Sequence, residues 1–187
     1  MKVNKSNTYS KVPDYKIIDN FLSETDINIL EKTIADENFP WRRRSVTTPQ
    51  KEYENKDKGF FTYSFFYNYI SDGQLFEPLI IPILNKLEAK SVIQVRANMT
   101  LKQLFLDKYT SFHVDYKNYN NKTAILNLTD CDGGTALKIN DKIVEIKSKK
   151  NRMLVFDGDI YHASIKQNET DVRYIINFNF FLDESFS

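Results

Sequence analysis

The sequence predicts a mainly β protein with flanking helices, its strands forming a closed or two-sheet antiparallel arrangement. Three observations carry this. From Ser91 onward, short runs rich in Val, Ile, Leu and Phe recur with turn residues between them. Before Ser91, two segments carry apolar residues at helical spacing, each with a start signal of its own. The 187 residues, 41% of them hydrophobic and 27% charged, suffice for one folded domain that stands without disulfides.

Residues 1 to 11 are polar and read as loose. Tyr15-Lys16-Ile17-Ile18 alternates as a first strand, and Asp19-Asn20 ends it. Ser23-Glu24-Thr25-Asp26 then supplies an N-cap with acids in the first turn, and Ile27, Leu30 and Ile34 make an apolar stripe. This helix is expected to pack against the outside of a sheet. Trp41-Arg42-Arg43-Arg44 sets the sole tryptophan beside three arginines. It reads as a patch for a phosphate-bearing or acidic partner, or as a turn with snorkelling basic side chains and a half-buried ring; the second is favoured. Residues 45 to 59 read as a polar loop. Phe60 to Tyr69 is the densest aromatic stretch, expected to be an edge strand whose rings fill the core, with a substrate channel as the alternative. From Leu75 to Lys90, the positions Leu79, Ile80, Ile83, Leu84 and Leu87 predict a second helix with Pro78 in its first turn.

The candidate strands that follow are Val92 to Met99, Leu101 to Phe105, Phe112 to Asp115, Lys122 to Leu128, Thr135 to Ile139, Lys142 to Ile146, Arg152 to Phe156 and Val172 to Leu182. Asp132-Gly133-Gly134 marks a turn, and Asn140-Asp141 a hairpin. The whole chain is read as a single domain, with helical and strand support over 12–90 and a β core over 91–182.

A net charge of +1, from 26 basic and 25 acidic residues, supplies no general pull toward nucleic acid or an anionic membrane. No stretch has the apolar length of a membrane span. One cysteine, Cys131, forms no internal disulfide, and no signal-like apolar run follows Met1-Lys2-Val3, so the cytoplasm is the expected compartment. Cys131 lies between Asp130 and Asp132, a setting that disfavours a thiolate, and is read as structural.

The chain has two histidines. One stands in Phe112-His113-Val114-Asp115-Tyr116. On a strand, residues i and i+2 share a face, so His113 and Asp115 would present an imidazole nitrogen and a carboxylate side by side. The other, His162, follows the buried run Met153-Leu154-Val155-Phe156. Two histidines and one carboxylate on neighbouring strands make the facial donor set that leaves positions open on non-haem Fe(II); packing or hydrogen bonding is the plainer role for any one imidazole. Eleven positions after His162, Arg173 opens an alternating, mostly apolar strand. An arginine there is costly to bury without an anionic partner, and its planar fork suits a carboxylate.

The order HxD, His, Arg resembles that of the Fe(II)- and 2-oxoglutarate-dependent oxygenases, most closely the prolyl-4-hydroxylase-like branch with its small single-domain bacteriophage members. The resemblance runs from about Tyr15 to Phe181. It implies a double-stranded β-helix (a jelly roll, cupin-like) with two buttressing N-terminal helices, the catalytic core lying in 91–182. It also implies that His113, Asp115 and His162 hold iron as the catalytic centre and that Arg173 pairs with the distal carboxylate of 2-oxoglutarate. Where prolyl hydroxylases commonly place a tyrosine for that carboxylate, the candidates here are Asn98 and Asn127, with Tyr109 and Asn177 as further cosubstrate contacts. Tyr116, Tyr161 and Trp41 are the candidate substrate residues. Fe(II), 2-oxoglutarate and O2 are the expected cofactors, with ascorbate as a candidate addition. The implied reaction hydroxylates a C–H bond, with a prolyl or other side chain of a protein or peptide as leading substrate, and releases succinate and CO2. Nucleic acid or a free small molecule as substrate, and a non-catalytic cupin-like binding domain, are the alternatives. For a phage-encoded chain the compartment would be the host cytoplasm.

Overall fold

A computed structural model describes residues 15–44, 60–102 and 107–182. The expectations for residues 1 to 11, for 45 to 59 and for the strand end near Phe105 lie outside the described residues. In order, the elements are β1 (Tyr15–Ile18), α1 (Glu24–Ile34), β2 (Arg42–Arg44), β3 (Phe60–Tyr67), β4 (Ile70–Ser71), α2 (Ile81–Lys86) and β5 (Ser91–Leu101). There follow β6 (Lys122–Asn127), β7 (Gly134–Ile139), β8 (Lys142–Lys147), β9 (Arg152–Asp157), β10 (His162–Ile165) and β11 (Val172–Phe181). The larger sheet runs β1-β9-β6-β11-β5-β3-β2 with β4 paired to β3, and the smaller runs β10-β7-β8. This is the predicted jelly roll: two antiparallel sheets face each other, with both helices on the outside of the larger one.

The alternation of β11 explains how one strand serves two interiors. Tyr174, Ile176, Phe178 and Phe180 point outward, into an apolar layer shared with α1 and α2. Arg173, Ile175, Asn177 and Asn179 point between the sheets. The outer layer holds the helices in place. Ser23 caps α1, its hydroxyl accepting from the Asp26 N–H at 3.1 Å, and Ile27, Leu30 and Ile34 are buried as the stripe predicted. Leu30→Ala should cost about 2–5 kcal/mol, measured as a fall in the denaturant midpoint. No change would show that α1 is not docked on the sheet.

Four details differ from expectation. The second helix is shorter: Phe76–Ile80 forms a π turn, closed by the Ile81 N–H on the Phe76 carbonyl, before α2 begins. Pro82 lacks an N–H and crowds the carbonyl four residues back, so a continuous α ladder cannot pass it. Arg42–Arg44 is not a turn but a short edge strand on Phe60 to Thr62, which leaves β3 next to the edge. Phe112 to Asp115 is not a strand; it contributes one bridge, His113 to His162, and then bends. Finally β10, which contains His162, was not among the predicted strands.

The hairpin expected at Asn140-Asp141 does form, with φ of 48° and 61° at the two positions, as a two-residue turn of mirror-image type requires. Among the described residues no helix is long and apolar enough to cross a membrane.

Candidate metal centre

The site begins with a pair of backbone hydrogen bonds. His113 and His162 exchange both N–H···O=C bonds, each at 2.9 Å, across the free edge of β10. Two residues in such a pair carry their side chains to the same face. The two imidazoles therefore lie together, with ring centroids 4.6 Å apart, and Phe156 backs His162 at 5.1 Å. Asp115, just past the bridge, turns its carboxylate toward both rings.

Its oxygens lie 3.6 Å from His113 Nε2 and 3.9 Å from His162 Nε2. The three donor atoms all fall within 4.8 Å of one another. Two donors each about 2.1 Å from one ion sit roughly 3 to 4 Å apart, so the spacing fits a single small divalent metal. The hydrogen bonds fit as well. His113 Nδ1 faces the Ser111 carbonyl at 3.0 Å, and His162 Nδ1 the Ile160 carbonyl at 3.2 Å. A carbonyl accepts only from a protonated nitrogen, so in both rings Nδ1 carries a proton and Nε2 is the nitrogen left to meet a metal.

The carboxylate is held from the other side. Asn177 and Asn179 on β11 each donate an amide N–H to Asp115 Oδ2, at 2.9 and 3.1 Å. Burial pushes the Asp115 carboxyl up, but the adjoining His113 ring and the charge of Arg96 outweigh it and hold it well below the usual carboxylate range. Burial pulls His162 down to about 4, against the pull of Asp115, so this ring is neutral at physiological pH. Burial also lowers His113, but Asp115 more than reverses the effect and leaves it above the ordinary imidazole value. Asn179→Ala removes one of two donors on Asp115 and should weaken metal affinity about 10- to 100-fold. Unchanged affinity in a metal titration would show that the amides do not orient this ligand.

Arg173 sits deep at the inner start of β11, 2% exposed. Its guanidinium donates to the Gly134 carbonyl at 2.7 Å, Asn127 Oδ1 at 3.2 Å, Ser148 Oγ at 3.3 Å and Thr135 Oγ1 at 3.4 Å. Every one of these acceptors is neutral. Burial pulls its pKa down only to about 10, against a smaller opposing pull from Cys131, so the group remains a cation with no carboxylate partner among the described residues. Thr135 also lines the cavity that His113 and His162 border, together with Asn98, Ile125, Ile175 and Asn177. The buried Oδ1 atoms of Asn98 and Asn177 have no hydrogen-bond partner there. The two imidazoles thus line the cavity, and the Arg173 guanidinium lies behind its wall, donating to Thr135.

Several predicted site residues therefore meet, and several do not. His113, His162, Asn98 and Asn177 line one cavity, Asp115 joins the two histidines in one donor cluster, and Asn127 accepts from Arg173. Tyr116 stands half-buried beside Asp115, its ring edge-on to Tyr119 at 5.8 Å. Tyr109 turns away, its hydroxyl donating to Glu145 on β8. Tyr161 is 46% exposed and, being next to His162 on β10, projects to the opposite face. Trp41, half-buried, stacks on Tyr174 at 5.9 Å and 23° against the apolar layer on the helix side of the larger sheet.

Sequence reasoning missed Asn179, Thr135, Ser148 and Arg96. Period-two alternation from Asn177 would have found Asn179, and from Asn98 it would have found Arg96.

No family model matches the sequence, and no curated protein matches it. Solved structures share its fold. The α-ketoglutarate-dependent carbocyclase SnoK from nogalamycin biosynthesis superposes with a TM-score of 0.64 at 13% identity, over 91% of this chain and 80% of that one. A prolyl hydroxylase from Trichoplax adhaerens, in complex with a hypoxia-inducible-factor oxygen degradation domain peptide, gives 0.62 at 15% identity over 89% and 83%. HygX from Streptomyces hygroscopicus, with nickel and 2-oxoglutarate bound, gives 0.54 at 9% identity over 92% and 84%. The class this defines is one of architecture: the chain has the jelly-roll fold of the 2-oxoglutarate oxygenases.

Proposed function

We propose that the chain is an Fe(II)- and 2-oxoglutarate-dependent dioxygenase that hydroxylates a C–H bond, with a prolyl or other side chain of a protein or peptide as the leading substrate. The observation that carries this reading is a two-histidine, one-carboxylate donor set beside a cavity, with a buried arginine that has no carboxylate partner donating to Thr135 in the cavity's wall. In this reading His113, Asp115 and His162 hold the metal and Arg173 takes the distal carboxylate of the cosubstrate. When bound, iron and 2-oxoglutarate supply an oxidant for C–H hydroxylation, with succinate and CO2 as coproducts. The chain's own task is positional. Its two imidazoles are fixed in the ligating tautomer before metal arrives, and its two β11 amides hold the carboxylate still.

Asn127 and Thr135 steer the guanidinium, while Ile125 and Ile175 give the cavity apolar walls. The peptide preference rests on the Trichoplax relative's bound peptide alone. We also read 1–187 as one domain with its catalytic core in 91–182. The sharing of one sheet by β1, β3 and β5 supports this.

The test is to incubate the protein with Fe(II), 2-oxoglutarate and O2 and to follow succinate, with a one-oxygen mass gain sought across peptides, nucleosides and free amino acids. Metal-dependent succinate is the expected result. If no succinate forms while the metal is demonstrably bound, the dioxygenase reading fails and a binding domain of the same fold takes its place.

A further inference from the structure

Among the described residues that line the metal cavity, Arg96 is the cation to which the proposed reaction gives no task. It faces inward on β5 in the row Gln94, Arg96, Asn98, Thr100. Thr100 is opposite Arg173 and Arg96 is opposite Asn177, the residue that holds Asp115. Arg96 therefore lies four residues, about 13 Å along the strand, from the level of the arginine assigned to the cosubstrate. It stands at the metal end.

Its Nε is buried and has no hydrogen-bond partner. Phe60 lies beneath it, 5.9 Å from ring centroid to Cζ. Asp115 is the negative charge that acts on it most strongly, but its carboxylate already accepts from two amides and faces both imidazoles. A second cation, Arg44, extends from the edge strand β2, its Nε donating to Thr62 Oγ1 at 3.3 Å, and pushes the Arg96 pKa further down. A guanidinium that lines a cavity with its Nε buried and unpartnered is an anion seat waiting for its ligand.

We propose that Arg96 binds a carboxylate carried by the substrate and so sets the C–H bond beside that carboxylate next to the metal. One planar fork inside the cavity suits a planar monoanion, whereas a phosphate dianion would leave charge uncompensated. The carboxylate belongs either to an acidic residue of a peptide or to a free carboxylic acid. This inference rests on the metal reading given above.

The experiment loads the protein with Mn(II) and N-oxalylglycine, which prevent turnover, and reads Mn(II)-induced broadening of probe protons by NMR. Two pairs of probes are titrated: N-acetyl-L-proline against N-acetyl-L-prolinamide, and Ac-Ala-Asp-Pro-Ala-amide against Ac-Ala-Asn-Pro-Ala-amide. In at least one pair the acid should bind about tenfold or more tightly than its neutral twin, and the pair that responds identifies the source of the carboxylate. R96M should erase the preference and R96K should keep part of it, which also covers the case in which R96M does not fold.

Equal binding of acid and neutral probes, or a preference that survives R96M, overturns the proposal. So does an R96M variant that loses N-oxalylglycine affinity as severely as R173M, because Arg96 would then serve the cosubstrate. Wild-type protein that binds no Mn(II) fails at the earlier step: it refutes the metal reading and takes this proposal with it.

Discussion

His162→Ala abolishes metal binding and, with it, metal-dependent succinate formation: that is the expected result, and the largest single effect the site predicts. His162 is 4% exposed, its Nδ1 is committed to the Ile160 carbonyl, and Phe156 closes it off on one side. The ring supplies one of the three donors, so affinity should fall by more than the 10- to 100-fold typical of losing a group behind a ligand. His113→Ala should act in the same direction but less completely. Its side chain is more exposed, and a water has room to stand in for the ring. Calorimetric metal titration of both variants checks the order. A His162→Ala protein that binds metal as tightly as wild type would remove this residue from the donor set.

Arg173→Met is the second. The substitution keeps most of the apolar stem but removes the charge, and 2-oxoglutarate affinity should fall about 10- to 100-fold. The same change leaves the Gly134 carbonyl and Asn127 Oδ1 each without one donor, at a cost of about 1–3 kcal/mol per orphaned group. Stability must therefore be measured beside affinity. Loss of stability with unchanged 2-oxoglutarate binding would make Arg173 a structural cation; loss of binding in a protein that still melts cooperatively supports the carboxylate clamp.

Local signals in the sequence were enough for the elements whose forces are local. Ser23 and the Ile27, Leu30, Ile34 stripe specify α1 through a cap and one buried face. Asn140-Asp141 specifies its hairpin because few residue pairs tolerate two positive φ angles in succession. What could not be read was set at a distance. Arg42–Arg44 is a strand only because β3 offers it an edge, and β10 exists because β7 pairs with it along four residues. The π turn needed Pro82 to be weighed against a good helical stripe.

The same division holds at the site. His113, Asp115, His162 and Arg173 stood out by type and spacing. Arg96 and Asn179 did not, although each sits two residues from an asparagine that was singled out. Alternation gives the face of a strand, but register decides which neighbour that face meets.

The bridge between the histidines has a consequence for the unfolding of the apoprotein. His113 belongs to a segment that is not itself a strand, fastened along β10 by its two bonds to His162, with the Thr110 and Lys166 N–H groups adding one bond each. A metal that grips one ring from each side of this seam acts as a rivet between chain segments, and its binding energy becomes mechanical closure of the roll. Chelation would then loosen the seam before the helices move, leaving an open sheet border able to recruit another chain.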